Sequence, residues 1–219
     1  MNRFERKFKT KESLQPLIEA SLIGYGFSEI FYEREITSIY YDTPNFLNFM
    51  HSEDGNCDRQ KIRIRFYNDD LNNAIIEYKN KKAELGWKNQ NKLSSSIYIN
   101  SKKNLNISRY NKKSLNISIP ELISRGYRPT IVVNYLRKYF LSMDNTTRIT
   151  LDKKINFSAI FSNEEYLKIN PGLFIDDLII EVKYDRENEP TKILQKLTNS
   201  YELIMTRYSK YCKGIRTLI

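Results

Sequence analysis

The 219-residue chain holds two cysteines, Cys57 and Cys212, and one histidine, His51. Two cysteines without a CxxC pair supply neither a disulfide framework nor zinc-ligand spacing. One histidine argues against a Ser-His-Asp triad and against a multi-histidine metal centre. No apolar run approaches the ~18 residues of a membrane-spanning helix. The N-terminus, MNRFERKFKT, carries charge where a secretory leader needs an apolar stretch. No internal repeat and no Gly/Ser- or Pro-rich linker divides the chain, and no RRM, KH or helix-turn-helix signature is visible. These absences predict a soluble cytoplasmic protein built as a single domain over residues 1–219.

What is present points to a folded protein with a real core: 40% hydrophobic residues and 13% aromatic, with Tyr 16 and Phe 11. The net charge of +10 favours anionic partners: nucleic acid, nucleotides, inorganic phosphates or an acidic membrane surface. The number of cations is weak information in a chain this rich in Asn, Lys and Ile. Lysines such as Lys102, Lys103, Lys112 and Lys113 read as solvated surface. Where basic residues recur in a pattern matters more.

RFERKFK, residues 3–9, alternates as a first strand. Thr10 can cap a helix through KESLQPLIEASLIG, with Leu14, Leu17, Ile18, Ser21 and Leu22 on one face and Pro16 early in it. EITSIYYDT reads as a strand, and Pro44 suits the start of a short helical turn, NFLNFM. RQKIRIRFYND and NNAIIEYKNKK form a predicted hairpin, followed by a weaker strand, LSSSIYIN. Residues 101–128 are polar, with a helix around IPELISRG. PTIVVNYLRKYFLSM and TTRITLDKKINF form a second hairpin across Asp144 to Thr146, and LFIDDLIIEVKYD is a further strand. Helices are expected after Pro190 and at the C-terminal YSKYCKGIRTLI. The fold class is α+β: about eight strands, mostly hairpin-connected, in an antiparallel barrel or a strongly curved sheet.

The strands share a pattern. Lys61, Arg63 and Arg65 occupy every second position of DRQKIRIRFY, with Ile62 and Ile64 between them. Glu77, Lys79 and Lys81 alternate with Ile76 and Tyr78; Arg148, Thr150 and Asp152 with Ile149 and Leu151; Glu181 and Lys183 with Ile180 and Val182. Glu5 and Lys7 repeat it at the start, and Tyr135, Arg137 and Tyr139 form a related row. Same-face neighbours on a strand lie about 6.6 Å apart. At that distance like charges are cheap in water and costly in a recess unless anions compensate them. Alternation leaves two arrangements open. The apolar faces can fill a small barrel with a charged exterior, or the charged faces can line a lumen with the apolar faces outside, under helices.

The motifs FERKF, SIYYDTP, RQKIRIRFY, EYKNK, RITLD, IIEVKY and RYSKY, in this order from Glu5 to Tyr211, resemble the VTC domain. That is the catalytic domain of the vacuolar transporter chaperone complex, in the CYTH-like triphosphate tunnel metalloenzyme superfamily. The resemblance implies an eight-stranded antiparallel tunnel with charged faces inward. It implies a polyphosphate polymerase that transfers the γ-phosphate of ATP to a growing chain, with Mn²⁺ or Mg²⁺ as cofactor and ATP and inorganic polyphosphate as partners. By motif, Arg63, Arg65, Lys79 and Lys210 would act on the phosphates, and Glu181 would be the principal metal ligand. Lys7, Lys61, Lys81, Lys92, Arg137, Arg148, Lys183 and Ser209 would complete the substrate-binding set. Glu5, paired with Lys7 in the N-terminal motif, is a second metal candidate. The superfamily's first strand reads E-x-E-x-K. Here only Glu5-Arg6-Lys7 remains, a form closer to VTC domains and one that leaves a second metal site open.

Other readings accompany this one. The same residues could hydrolyse a triphosphate, or bind polyphosphate or nucleotide without turnover. A nucleic-acid partner is not expected. Glu181 could pair with an arginine of the lumen rather than a metal, Ser209 could cap the last helix, and Asp42 and Thr43 could shape a turn before Pro44. His51 reads as surface and Trp87 as packing.

Overall fold

The computed structural model describes residues 3–83, 85–93, 119–162, 167–169, 172–185 and 189–218. Among the described residues there are eleven strands: β1 (Arg3–Lys11), β2 (Phe27–Asp42), β3 (Arg59–Tyr67), β4 (Ile75–Lys82), β5 (Leu85–Lys92), β6 (Arg128–Ser142), β7 (Thr147–Ser162), β8 (Leu167–Ile169), β9 (Leu173–Ile175), β10 (Asp177–Asp185) and β11 (Ile204–Met205). The same residues form five α-helices: α1 (Gln15–Gly24), α2 (Leu47–Glu53), α3 (Pro120–Ser124), α4 (Thr191–Tyr201) and α5 (Lys210–Leu218). The class is α+β with a dominant antiparallel sheet. Among the described residues no helix is long and apolar enough to cross a membrane.

Hydrogen bonding orders the main path as β11-β1-β10-β7-β6-β2-β3-β4-β5, with β8 and β9 on β7. Among the described residues this path has two ends, so these pairings do not complete the closed eight-stranded barrel expected from the sequence. Extra short strands and β5 account for the larger number. The predicted strand LSSSIYIN lies, beyond Leu93, outside the described residues, as do Lys102, Lys103, Lys112 and Lys113.

The chain forms two compact units. The first comprises Met1–Glu35, Tyr135–Ile155 and Phe174–Tyr208. Its apolar sheet face presents Phe8, Ile149, Leu151, Ile180 and Val182, which pack with Ile18 and Leu22 of α1 and Leu194 and Leu197 of α4. In α1 the buried stripe is Ile18 and Leu22, with Leu14 packed against it, an i, i+4 spacing. Leu17 falls off that stripe and is 56% exposed, contrary to the expected face. Thr10 does not cap α1. A 3₁₀ turn, Glu12–Leu14, intervenes, and the Thr10 hydroxyl donates to the Tyr201 carbonyl (3.1 Å). The Asp144 turn is as read: its carboxylate accepts from the Ser142 hydroxyl (2.5 Å) and the Thr146 amide (3.1 Å), with Asn145 at φ 60°.

The second unit comprises Ile36–Asn134, Asn156–Leu173 and Ser209–Ile219. Ile39 and Tyr41 of β2, Ile62, Ile64 and Phe66 of β3, and Ile76 of β4 form its apolar face, which packs with Ile119 and with Leu122 of α3. In the first unit α1 and α4 cover the apolar side of the strands; in the second α3 packs on the apolar side, while α5 meets the opposite side through Tyr211 on Tyr40 and Ser209 at Lys61. The alternating polar residues therefore occupy the opposite face.

Candidate functional site

In the first unit, register decides how the charged rows meet. Antiparallel pairing sets Glu5 opposite Lys183 and Lys7 opposite Glu181. Lys183 lies opposite Arg148, and Glu181 opposite Thr150. Signs thus alternate around the first four. The Lys7 ammonium sits 3.0 Å from Glu5 Oε1 and 3.9 Å from Glu181 Oε2. The Lys183 ammonium sits 2.6 Å from Glu181 Oε1 and 3.5 Å from Glu5 Oε2. On β6 and β7, Arg137 grips Asp152 bidentately, at 2.5 and 2.7 Å. Asp152 is fully buried.

Burial acts against the charge on Glu181. The ammoniums of Lys7 and Lys183, with Arg137, outweigh it and hold the carboxyl well below the usual carboxylate range. Burial likewise opposes charge on Lys7, and Glu181 and Glu5 overcome it and raise its pKa. Burial lowers Arg137, and Asp152 with Tyr135 drives it upward.

The face of the second unit is different. Register places Lys61 opposite Lys79 and Arg59 opposite Lys81 on β3 and β4. Lys79 in turn lies opposite Lys88 on β5. Three lysines therefore form one row across three strands. In the next row Arg63 faces Glu77, which faces Gln90; beyond it, Arg65 faces Ile75, which faces Lys92. Glu77 is the one carboxylate among β3, β4 and β5 on this face. Its side chain is 2% exposed, and one oxygen takes the Arg63 Nε at 2.5 Å while Arg65 approaches to 3.9 Å and Lys88 binds the other oxygen. Burial pushes the Glu77 carboxyl up, but the two guanidiniums and Lys88 bring it down to about 2.

Around this row the second unit adds further groups. The Lys61 ammonium donates to the Ser209 hydroxyl (2.9 Å). Ser209 also accepts from the Cys212 amide (3.4 Å), so it caps α5 as the sequence allowed. Arg63 donates to the Tyr40 hydroxyl (3.0 Å), and Arg65 to Ser38 (3.4 Å). Asp42 shapes structure rather than charge balance. Its carboxylate accepts from the Thr43, Asn48 and Phe49 amides, capping α2, and from the Tyr211 hydroxyl.

The residues expected from sequence thus fall into two groups. Glu5, Lys7, Arg137, Arg148, Glu181 and Lys183 belong to the first unit; Lys61, Arg63, Arg65, Lys79, Lys81, Lys92, Ser209 and Lys210 belong to the second. Glu181 meets Lys7 and Lys183, with Arg137 tied instead to Asp152. Four participants were missed: Glu77, Asp152, Tyr40 and Lys88. Glu77 and Asp152 stand within alternating rows already visible in the sequence. Lys88 went unseen because β5, all of whose residues are exposed, has no apolar face to betray it. Trp87 lies on that strand, 47% exposed, and does not fill a core.

Among the described residues no three His, Cys, Asp or Glu side chains gather as a metal cage. Glu5 and Glu181 nonetheless offer hard carboxylate oxygens on neighbouring strands. Mg²⁺ is commonly held by one or two carboxylates together with substrate phosphates. The donor pair fits an ion that arrives with a polyphosphate.

The VTC domain family model matches residues 2–219. Two solved structures share the fold. One is a candidate adenylate cyclase from Vibrio parahaemolyticus, 13% identical, with TM-score 0.52, covering 99% of each chain. The other is a candidate adenylyl cyclase from Hippeastrum with a dominant triphosphatase activity, 10% identical, with TM-score 0.57, covering 100% of this chain and 97% of that one. A search of curated proteins gave no match.

Proposed function

The chain belongs to the VTC domain family, and on that premise we propose that it is a metal-dependent polyphosphate polymerase, transferring the γ-phosphate of ATP to a growing polyphosphate chain in a basic tunnel. The observation that carries this reading is the row Lys61, Lys79, Lys88, set like against like by the register of β3, β4 and β5. Directly opposed like charges destabilise a sheet. Were two ammoniums as close as the backbones that carry them, about 5 Å, they would repel by roughly 3 kcal/mol at an effective dielectric of 20, and by under about 1 kcal/mol in water. Lys79 and Lys88 are exposed, so the smaller figure applies to them in the free protein. Within the row one member is anchored elsewhere, Lys88 on Glu77, and Lys61 donates to Ser209, which leaves three cations crossing three strands. A bound polyanion would turn each repulsion into an attraction.

Phosphoryl transfer needs positioning and charge neutralisation more than covalent chemistry from the protein. Arg63 and Arg65 are the forks suited to phosphate oxygens, and Glu77, across from Arg63 on the same face, anchors them. Lys61, Lys79, Lys81, Lys88 and Lys92 extend the cationic face along a linear chain of phosphates, with Lys210 and Ser209 at the start of α5. Glu181 and Glu5 would hold Mg²⁺ or Mn²⁺, which when bound draws charge from the phosphates. Lys7, Lys183, Arg137 and Arg148 surround those carboxylates and would contact substrate there. Support for inward charged faces is the apolar side of each unit, covered by α1 and α4 in the first and by α3 in the second, with α5 on the charged side of the second supplying Ser209 and Lys210 to it.

Hydrolysis of a triphosphate is the second reading, favoured by the Hippeastrum structure's reported activity. Incubation with ATP and Mn²⁺, followed by gel electrophoresis, separates the two. Long anionic chains are expected. Release of orthophosphate alone would overturn the polymerase and leave the hydrolase.

A further inference from the structure

Tyr40 lies on β2 opposite Arg63, on the charged face of the second unit. Its ring is clamped. It stacks on Tyr211 of α5 with centroids 5.1 Å apart and an interplanar angle of 24°. Tyr211 is in turn tethered through its hydroxyl to Asp42, whose carboxylate is occupied by three backbone amides of the α2 cap. The Arg63 guanidinium stands 5.8 Å from the ring centroid and donates to the phenolic oxygen.

The hydroxyl therefore has its acceptor role filled. Its own proton has no acceptor among the described residues. The charged groups around it are Arg63 and Arg65 on β3 and Lys210 on α5, with Glu77 of β4 committed to those same guanidiniums and Lys88. Asp42, on Tyr40's own strand, is committed to Tyr211 and the α2 amides. Burial raises the phenol, yet Arg63, Arg65 and Lys210 more than offset it and lower its pKa. A buried donor enclosed by cations is matched by one kind of partner, an anion with a free acceptor oxygen.

We propose that Tyr40 is a phosphate ligand: its clamped hydroxyl donates to an oxygen of a bound tripolyphosphate or polyphosphate while Arg63 holds the hydroxyl in place. The proposal rests on the polyphosphate reading above and adds a neutral, directional donor to a face otherwise made of charge. Cations attract any polyanion, whereas a fixed O–H selects an oxygen at one position along it.

The test uses the full chain, inorganic tripolyphosphate and a buffer without divalent metal. Calorimetric titration compares wild type with Tyr40→Phe, a change that keeps the stacked ring. Affinity is expected to fall about tenfold or more, with an unchanged salt dependence, because no cation is removed. In parallel, tyrosinate absorbance of the wild type is followed against pH. One tyrosine is expected to titrate below the rest, to move up when tripolyphosphate saturates the protein, and to vanish in Tyr40→Phe. The absorbance measurement stands even if the variant folds poorly. Equal affinity of the two proteins, or a low-titrating tyrosine indifferent to tripolyphosphate, overturns the assignment. Failure of the wild type to bind tripolyphosphate at all overturns the polyphosphate reading itself.

Discussion

Glu77→Gln is the most informative single substitution. The folded protein lowers this carboxyl from 4.5 to about 2. At about 1.4 kcal/mol per tenfold change, that difference is worth roughly 3 kcal/mol of stability at neutral pH. Arg63 and Arg65 supply most of it, since Lys88 is 40% exposed and its attraction is screened. The sign follows from the direction. A carboxyl held ionised by folding stabilises the protein fully above about pH 4.5 and loses that contribution as pH falls towards about 2. Glutamine keeps the volume and one acceptor oxygen but not the charge. Urea unfolding should show the variant less stable by roughly 3 kcal/mol at neutral pH, with the gap closing across that acidic window. Two parallel curves, separated equally at all pH values, would refute the argument. So would a variant as stable as wild type at neutral pH.

Three further outcomes follow. Leu22→Ala should cost about 2–5 kcal/mol, whereas Leu17→Ala should change stability by under about 0.5 kcal/mol, because Leu22 is fully buried and Leu17 is 56% exposed; denaturant midpoints test both. Gly214→Ala in α5 would bring a Cβ to 2.6 Å from Ile131 Cδ1 and 2.8 Å from Phe157 Cδ1. The crowding, about 1–3 kcal/mol, should exceed the helix-propensity gain of about 1 kcal/mol and lower the thermal midpoint. Glu181→Gln should lower turnover and raise the Mn²⁺ concentration it requires, while tripolyphosphate binding without metal persists, and an unchanged Mn²⁺ titration would count against the metal assignment.

Where a strand had one apolar face, the sequence revealed it. KIRIR and IEVKY alternate because packing buries Ile62 and Ile64 on one and Ile180 and Val182 on the other. The first half of β2 was invisible: Ile30, Phe31 and Tyr32 are consecutive apolar residues, and all three stay at least partly in solvent, so no period emerges. β5 was missed for the related reason that neither face is buried. The 3₁₀ turn after β1 does not show in the sequence, where Thr10 reads as the helix cap. Tyr201, 191 positions away, takes that hydroxyl instead.

The site was legible as rows and illegible as pairs. Alternation along a strand says which residues share a face, but only register says what stands across from them. In the first unit register places Glu5 against Lys183 and Lys7 against Glu181, and the charges largely satisfy one another. In the second it places Lys61 against Lys79 and Lys79 against Lys88, like beside like, with Lys88 reaching the one carboxylate, Glu77. A shift of one residue in β4 would turn its charged row to the apolar side and end the conflict between lysines, but it would also bury Lys79 where Ile76 and Tyr78 now pack. The apolar core thus enforces the repulsion. Packing fixes the register, the register opposes the lysines, and the fold carries a cationic row that an anion would neutralise.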